Sequence, residues 1–253
     1  MPLLEIKNLT KRFGGLLAIH DLTFQSNRGE ILGLIGPNGA GKTTVFNVIT
    51  GVYRPTKGRI IYKDEDVTGF PPHVLAAKGI VRTFQATSLI HDFTVLDNIL
   101  VSTHLLGKPT LWGALLNSSD YRRKKDIRLQ KALEILEITG LENVKGELAK
   151  NLPHGYQRRL GVAIALASNP ELLLLDEPMT GMNLEEIHSM MDLLKKVQEM
   201  GVTLVLVEHH MSAVMGICNC LVVLNFGKKI AEGLPQEVSE NGEVIEAYLG
   251  TKR

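Results

Sequence analysis

Cysteine is nearly absent from this 253-residue chain, which carries only Cys218 and Cys220. A lone C-x-C pair beside an apolar run reads as buried thiol rather than as a metal site or a disulfide framework, and it fits a reducing, cytoplasmic setting. Long apolar runs are missing too, and no stretch approaches the roughly 18–20 residues needed to span a bilayer. The opening "MPLLEIKNLT" lacks the basic start and apolar core of a signal peptide, so a chain soluble by itself is expected. Neither sign of charge dominates: Lys plus Arg number 28 against 27 acids. That balance argues against a nucleic-acid binder working through a bulk basic field. There is no internal repeat or low-complexity tract. A guanine-reading N-K-x-D is absent, which argues against a GTPase.

What is present is globular: 44% apolar residues and 22% charged ones. Short apolar runs at 31–35 ("ILGLI"), 172–175 ("LLLL"), 202–207 ("VTLVLV") and 221–225 ("LVVLN") read as buried parallel strands. Helical patterns lie between them. One follows Gly41 and stops at Gly51, and another runs from about Glu185 to Met200 with a glycine stop at Gly201. Such alternation predicts an α/β sheet with crossover helices. The first sixty-odd residues add turn-punctuated segments such as "RIIYK" at 59–63, read as antiparallel. Helix signals dominate from 86 to 167. There Leu129, Leu133 and Leu136 suggest an apolar stripe closed by Gly140, and "RRKK" at 122–125 a solvated helix start. The expected architecture is one domain over 1–253. Its α/β core spans 1–85 and 168–253, with an antiparallel β part, and a helical subdomain is inserted at 86–167.

The strongest chemical signal is "GPNGAGKTT", Gly36 to Thr44, which fits G-x-x-x-x-G-K-[ST] between a strand and a helix. Gly36, Gly39 and Gly41 let the backbone wrap closely around a polyphosphate, with Pro37, Asn38, Ala40 and Thr44 completing the cradle. Lys42 would reach the β- and γ-phosphates, and the Thr43 hydroxyl would bind Mg²⁺. The second signal is "LLLLDEP" at 172–178. A buried strand ends there in Asp176, placed to hold Mg²⁺ through its water shell. Glu177 follows, where a carboxylate can orient or deprotonate an attacking water. A third stretch, "NLPHGYQRRLGVAIALA" from Asn151 to Ala167, looks like a helix whose start is shaped for a phosphate. Pro153 is expected at the first helical position, where its missing N–H costs nothing.

Taken together these motifs resemble the ATP-binding subunit of an ABC transporter, over essentially the whole chain. The resemblance implies a P-loop ATPase using ATP and Mg²⁺. In that family an aromatic before the P-loop stacks on adenine, and Phe13 in "KRFGGLLAI" matches it. A glutamine links γ-phosphate and Mg²⁺ to the helical subdomain, and Gln85 in "VRTFQ" matches. A histidine contacting the γ-phosphate is matched by His209 in "LVLVEHHM". The implied catalytic set is Glu177, His209, Gln85 and Lys42, and the implied metal set Thr43, Gln85 and Asp176. The third stretch stands at the family signature, usually L-S-G-G-Q, here Leu152, Pro153, His154, Gly155 and Tyr156. That helix serves the ATP of the other subunit in a head-to-tail pair, so Pro153, His154 and Gly155 are candidate contacts in trans. The serine is lost, and Asn183 stands where the family often has aspartate. A heterodimer with a second, more typical ATPase is therefore favoured over a homodimer.

Finer features, "GIVRTFQATSLIHDFTVLDNILV", "DEPMTGMN" and "VIEAYLG", resemble the importer subunits for branched-chain amino acids. The implied partners are integral membrane permease subunits and, indirectly, a solute-binding protein, with no nucleic acid. The implied location is peripheral, on the cytoplasmic face of the membrane. Residues 86–100 are expected to dock on the permease. The alternatives are transport of urea or short amides, or a soluble ABC ATPase unconnected with transport.

Overall fold

The computed structural model describes residues 1–83, 89–103 and 119–249. Strands β1 (Pro2–Phe13) and β2 (Leu16–Asn27) form a long antiparallel hairpin. Strand β3 (Ile31–Ile35) runs into the glycine-rich loop and helix α1 (Lys42–Ile49). Strands β4 (Lys57–Tyr62) and β5 (Glu65–Asp66), helix α2 (Pro72–Ala77) and strand β6 (Ile80–Arg82) follow. Then come helices α3 (Val95–Ser102), α4 (Ser119–Thr139) and α5 (His154–Leu166), which pack on one another. Strand β7 (Leu172–Asp176), helix α6 (Leu184–Glu199), strand β8 (Thr203–Val207) and helix α7 (Met211–Ile217) return to the sheet. Strands β9 (Cys220–Asn225) and β10 (Lys228–Gly233) and helices α8 (Pro235–Ser239) and α9 (Gly242–Leu249) complete the order.

Two sheets result. An antiparallel one has the order β2-β1-β4-β5, and a larger one has the order β10-β9-β3-β8-β7-β6, parallel except at β10. Every residue of β3, β7 and β8 is buried. Their side chains alternate between two cores. Leu32, Leu34, Leu172, Leu174, Val205 and Val207 face the antiparallel sheet and α1. Ile31, Ile35, Leu173, Leu175, Leu204 and Leu206 face the helices. Both faces being apolar explains why these strands read as continuous runs in the sequence. A one-residue slip would exchange the two sets, so the register is firmly held. It sets Asp176 opposite Val207, at the strand ends beside the glycine-rich loop.

Three details differ from expectation. In α4 the buried face is Ala132, Ile135, Leu136 and Thr139, while Leu129 and Leu133 are exposed. The stripe is turned by one position, because a small Ala and a Thr that donates to the Ile135 carbonyl form the packed face. Pro153 is the N-cap of α5 rather than its first helical residue, and its carbonyl accepts from the Gln157 N–H at 3.0 Å. The edge strand β6 has no counterpart in the sequence pattern, whereas the antiparallel β1–β2 hairpin falls within the first sixty-odd residues read as antiparallel. Cys218 is buried, as expected of a structural thiol, and burial pushes its pKa up to about 12. Among the described residues no helix is long and apolar enough to cross a membrane.

Candidate functional site

The glycine-rich loop between β3 and α1 can take its shape only with glycine at two of its positions. Gly36 has φ 146°, and a Cβ there would lie 2.1 Å from the Leu224 carbonyl oxygen. Gly41 is the left-handed N-cap of α1 at φ 104°, and a Cβ there would lie 2.7 Å from the Ala18 carbonyl oxygen. Helix α1 has no side-chain cap and no acidic residue in its first turn. Its leading N–H groups therefore have no intrahelical acceptor and suit an anion. Lys42 is almost fully buried, and its Nζ donates to the carbonyls of Gly36 and Pro37 at 2.7 and 3.0 Å. Burial lowers its pKa, while nearby Glu177 and Asp176 favour the charged form.

An open cleft of about 340 Å³ lies over this loop. Its lining brings together Asn38, Gly39, Ala40, Gly41, Lys42, Thr43 and Thr44 with Glu177 and His209. The strand ends supply the last two. Glu177 follows β7 with the unusual φ of 50°, and its N–H donates to the Val207 carbonyl at 2.8 Å. One of its oxygens lies 2.9 Å from His209 Nε2, and the other accepts from the Thr180 hydroxyl at 3.2 Å. Asp176 sits behind the cleft, 3% exposed. Its Oδ2 is paired with Arg82 at 2.6 Å, and its Oδ1 is buried without a hydrogen-bond partner among the described residues.

Other expected site residues fall elsewhere. Phe13 is not part of the cleft lining. Its ring packs edge-on against Tyr53 at 5.1 Å, with the Lys11 ammonium over it. Leu16, Leu17, Ala18, Phe226 and Gly227 line the cleft instead. Gln85 lies outside the described residues. Pro153, His154 and Gly155 form a separate group at the start of α5. His154 Nε2 is 3.0 Å from the Thr180 carbonyl, so it contacts the loop carrying Glu177. A Cβ on Gly155 would come within 2.5 Å of Glu186 Oε1. Glu186 and Asn183 form the capping box of α6, which gives Asn183 a structural partner.

Three polar residues that shape this region carry no motif of their own. Arg82 bridges Asp176 and Asn47. Glu208 is fully buried and accepts from the backbone N–H groups of Met179 and His209 at 2.7 and 2.9 Å. It ties the loop after Glu177 to the turn holding His209. Asn98, 2% exposed, accepts from the Ile90 N–H at 2.8 Å and donates to the Ile90 and Thr94 carbonyls. This side chain clamps a turn on which Ile90 and Phe93 are exposed, while Val95 is buried. All three lie in segments whose motifs drew attention to a neighbouring residue instead.

Residues 19–180 match the sequence family described as "ABC transporter", and residues 228–252 match the "Branched-chain amino acid ATP-binding cassette transporter" family. The chain is 42% identical over 250 residues to the high-affinity branched-chain amino acid transport ATP-binding protein LivG of Escherichia coli K12, covering 98% of each. It is 40% identical to BraF of Pseudomonas aeruginosa, a protein of the same description, again covering 98% of each. A solved ATP-binding cassette of an ABC transporter in an ADP conformation superposes with a TM-score of 0.86 at 29% identity, covering 99% of both chains. A dimeric cassette bound to ADP and Pi superposes with a TM-score of 0.76 at 26% identity, covering 92% of this chain and 98% of that one.

Proposed function

Because this chain belongs to the ABC transporter ATP-binding family, we propose that it binds and hydrolyses ATP to energise the uptake of branched-chain amino acids through separate permease subunits. The observation that carries the reading is the convergence of Lys42, Thr43, Glu177 and His209 on one cleft at the strand ends of the larger sheet. As a family member the chain is a nucleotide-binding ATPase subunit that works with membrane permeases and pairs with a second cassette. The solute is carried over from the relatives named for it and from the match at 228–252.

In this reading the loop N–H groups and the α1 N-terminus receive the phosphates. Lys42 exchanges two carbonyl acceptors for phosphate oxygens, a stronger, charge-assisted contact. His209 orients Glu177, and Glu177 positions and deprotonates the attacking water. Thr43 and Asp176, with Gln85, would hold Mg²⁺; the buried Oδ1 of Asp176, without a hydrogen-bond partner among the described residues, supports that assignment. When bound, the ion neutralises charge on the transferring phosphoryl group. Pro153, His154 and Gly155 would approach the ATP of the partner cassette through the dipole of α5. The clamped turn carrying Ile90 and Phe93 would meet the permease at the cytoplasmic membrane face.

Reconstitution tests this. The chain, co-purified with its permease and partner ATPase in proteoliposomes, is supplied with ATP and Mg²⁺ and offered labelled leucine, isoleucine or urea with a matching binding protein. Uptake of leucine or isoleucine, abolished by Glu177→Gln, is expected. ATP-driven uptake of urea alone would replace the solute, and the absence of any permease in the membrane fraction would refute the transport reading.

A further inference from the structure

We propose that Arg82 is the positioning residue for Asp176, holding one carboxylate oxygen so that the other stays available to the metal. The inference rests on the proposed function, which assigns Asp176 to Mg²⁺. Arg82 ends β6, the strand paired with β7. Its guanidinium reaches two elements at once. Nη2 donates to Asp176 Oδ2 and Nη1 to Asn47 Oδ1 on α1, both at 2.6 Å. The Arg82 and Asp176 side chains are 9% and 1% exposed, so water competes little for this pair. The Phe46 ring lies 5.6 Å from the guanidinium carbon and flanks it.

The geometry separates the two oxygens of Asp176. Oδ2 is committed to Arg82, and Oδ1 is buried with no hydrogen-bond partner among the described residues. A carboxylate anchored through one oxygen cannot turn freely, which keeps the second in place for a ligand. Arginine suits this task because its planar fork satisfies two fixed acceptors together; a lysine ammonium is a point charge and would not hold the same plane. The link to Asn47 also ties the carboxylate to the helix that begins with Lys42 and Thr43. A bystander cation would do the opposite of a positioning one: it would repel the metal, and its removal would tighten metal binding.

The test is titration of Mn²⁺, followed by electron paramagnetic resonance, into the chain with ADP. A parallel ADP titration is run in EDTA. Arg82→Lys keeps the charge and loses the bridge; Arg82→Met loses both. For each, Mn²⁺ affinity is expected to fall by about 10–100-fold, as when other outer-shell partners of metal ligands are removed. ADP affinity in EDTA is expected to stay at the wild-type value. If Arg82→Lys binds Mn²⁺ as the wild type does, or Arg82→Met binds it more tightly, the positioning role is overturned. Should either variant fail to fold, Asn47→Ala removes the second anchor alone. It is expected to lower Mn²⁺ affinity to a smaller extent, and wild-type affinity there also overturns the proposal. The wild type is the control for the underlying reading: if its ADP binding shows no metal dependence, the assignment of Asp176 to a metal fails first.

Discussion

His209 Nε2 and Glu177 Oε1 lie 2.9 Å apart, although 31 residues and a helix separate them in the chain. Adjacent strand ends bring them together, and Thr180 holds the other Glu177 oxygen. The carboxylate thus has two partners on its own chain and faces the loop that carries Lys42.

Replacing Glu177 with Gln keeps the shape and removes the base. ATP binding is expected to persist, while turnover falls by about 10²–10⁴-fold. The loss of charge near the γ-phosphate also favours the closed, ATP-loaded pair. Steady-state ATPase assays and sedimentation with ATP measure both. Turnover near the wild-type rate would take Glu177 out of the catalytic role.

Lys42→Ala removes the ammonium that now caps the carbonyls of Gly36 and Pro37. A hydrogen bond to a charged group contributes roughly 1.5–3 kcal/mol, so ATP affinity is expected to drop by about tenfold or more. Calorimetric titration reads it directly. Unchanged affinity would mean that the loop does not bind phosphate as proposed.

Glu208→Ala leaves the N–H groups of Met179 and His209 without their buried acceptor. A loss of roughly 2–4 kcal/mol in stability is expected, together with slower turnover because both tethered segments flank Glu177. Urea denaturation and an ATPase assay below the unfolding transition separate the effects. A variant as stable as the wild type would show that those N–H groups find other acceptors.

Pro153 caps α5 without a side-chain acceptor. Two copies of this chain would set two serine-less signatures on two ATPs, each lacking a hydrogen bond of roughly 1.5–3 kcal/mol to charged phosphate. The working pair is therefore expected to be a heterodimer with a second ATPase of fuller signature. Turnover of the chain is measured alone and with its co-purifying ATPase, and again with Pro153→Ser. A stable ATP-bound homodimer with full turnover from the unmodified chain would sink the idea.

What is legible in the sequence is apolar burial and the steric need for glycine, not burial itself. β3, β7 and β8 were readable because both their faces are apolar, and the glycine-rich loop because no other residue fits Gly36 or Gly41. On α4 the leucine spacing predicts an inward face of Leu129, Leu133 and Leu136, of which only Leu136 is buried; Ala132, Ile135 and Thr139 complete the packed face, and the small Ala132 and polar Thr139 carry no apolar signal. Arg82, Asn98 and Glu208 were not legible at all. Each is a polar residue whose partners are named by the folded arrangement rather than by spacing, and burial of such a group is tolerated only when those partners are in place. Phe13 shows the same limit from the other side. A matching motif position did not foretell that its ring would pack on Tyr53.

The Asn98 clamp has a thermodynamic consequence for assembly. Fixing one residue's backbone costs about 1–2 kcal/mol in entropy. For the Ile90–Thr94 turn that cost is met when the chain folds, since Asn98 already holds the Ile90 and Thr94 carbonyls. A permease settling on Ile90 and Phe93 would meet a rigid shape, and its association need not wait for a loop to order. Loosening the clamp by Asn98→Ala would transfer that entropy to the encounter itself, weakening the complex without altering a single residue at the contact.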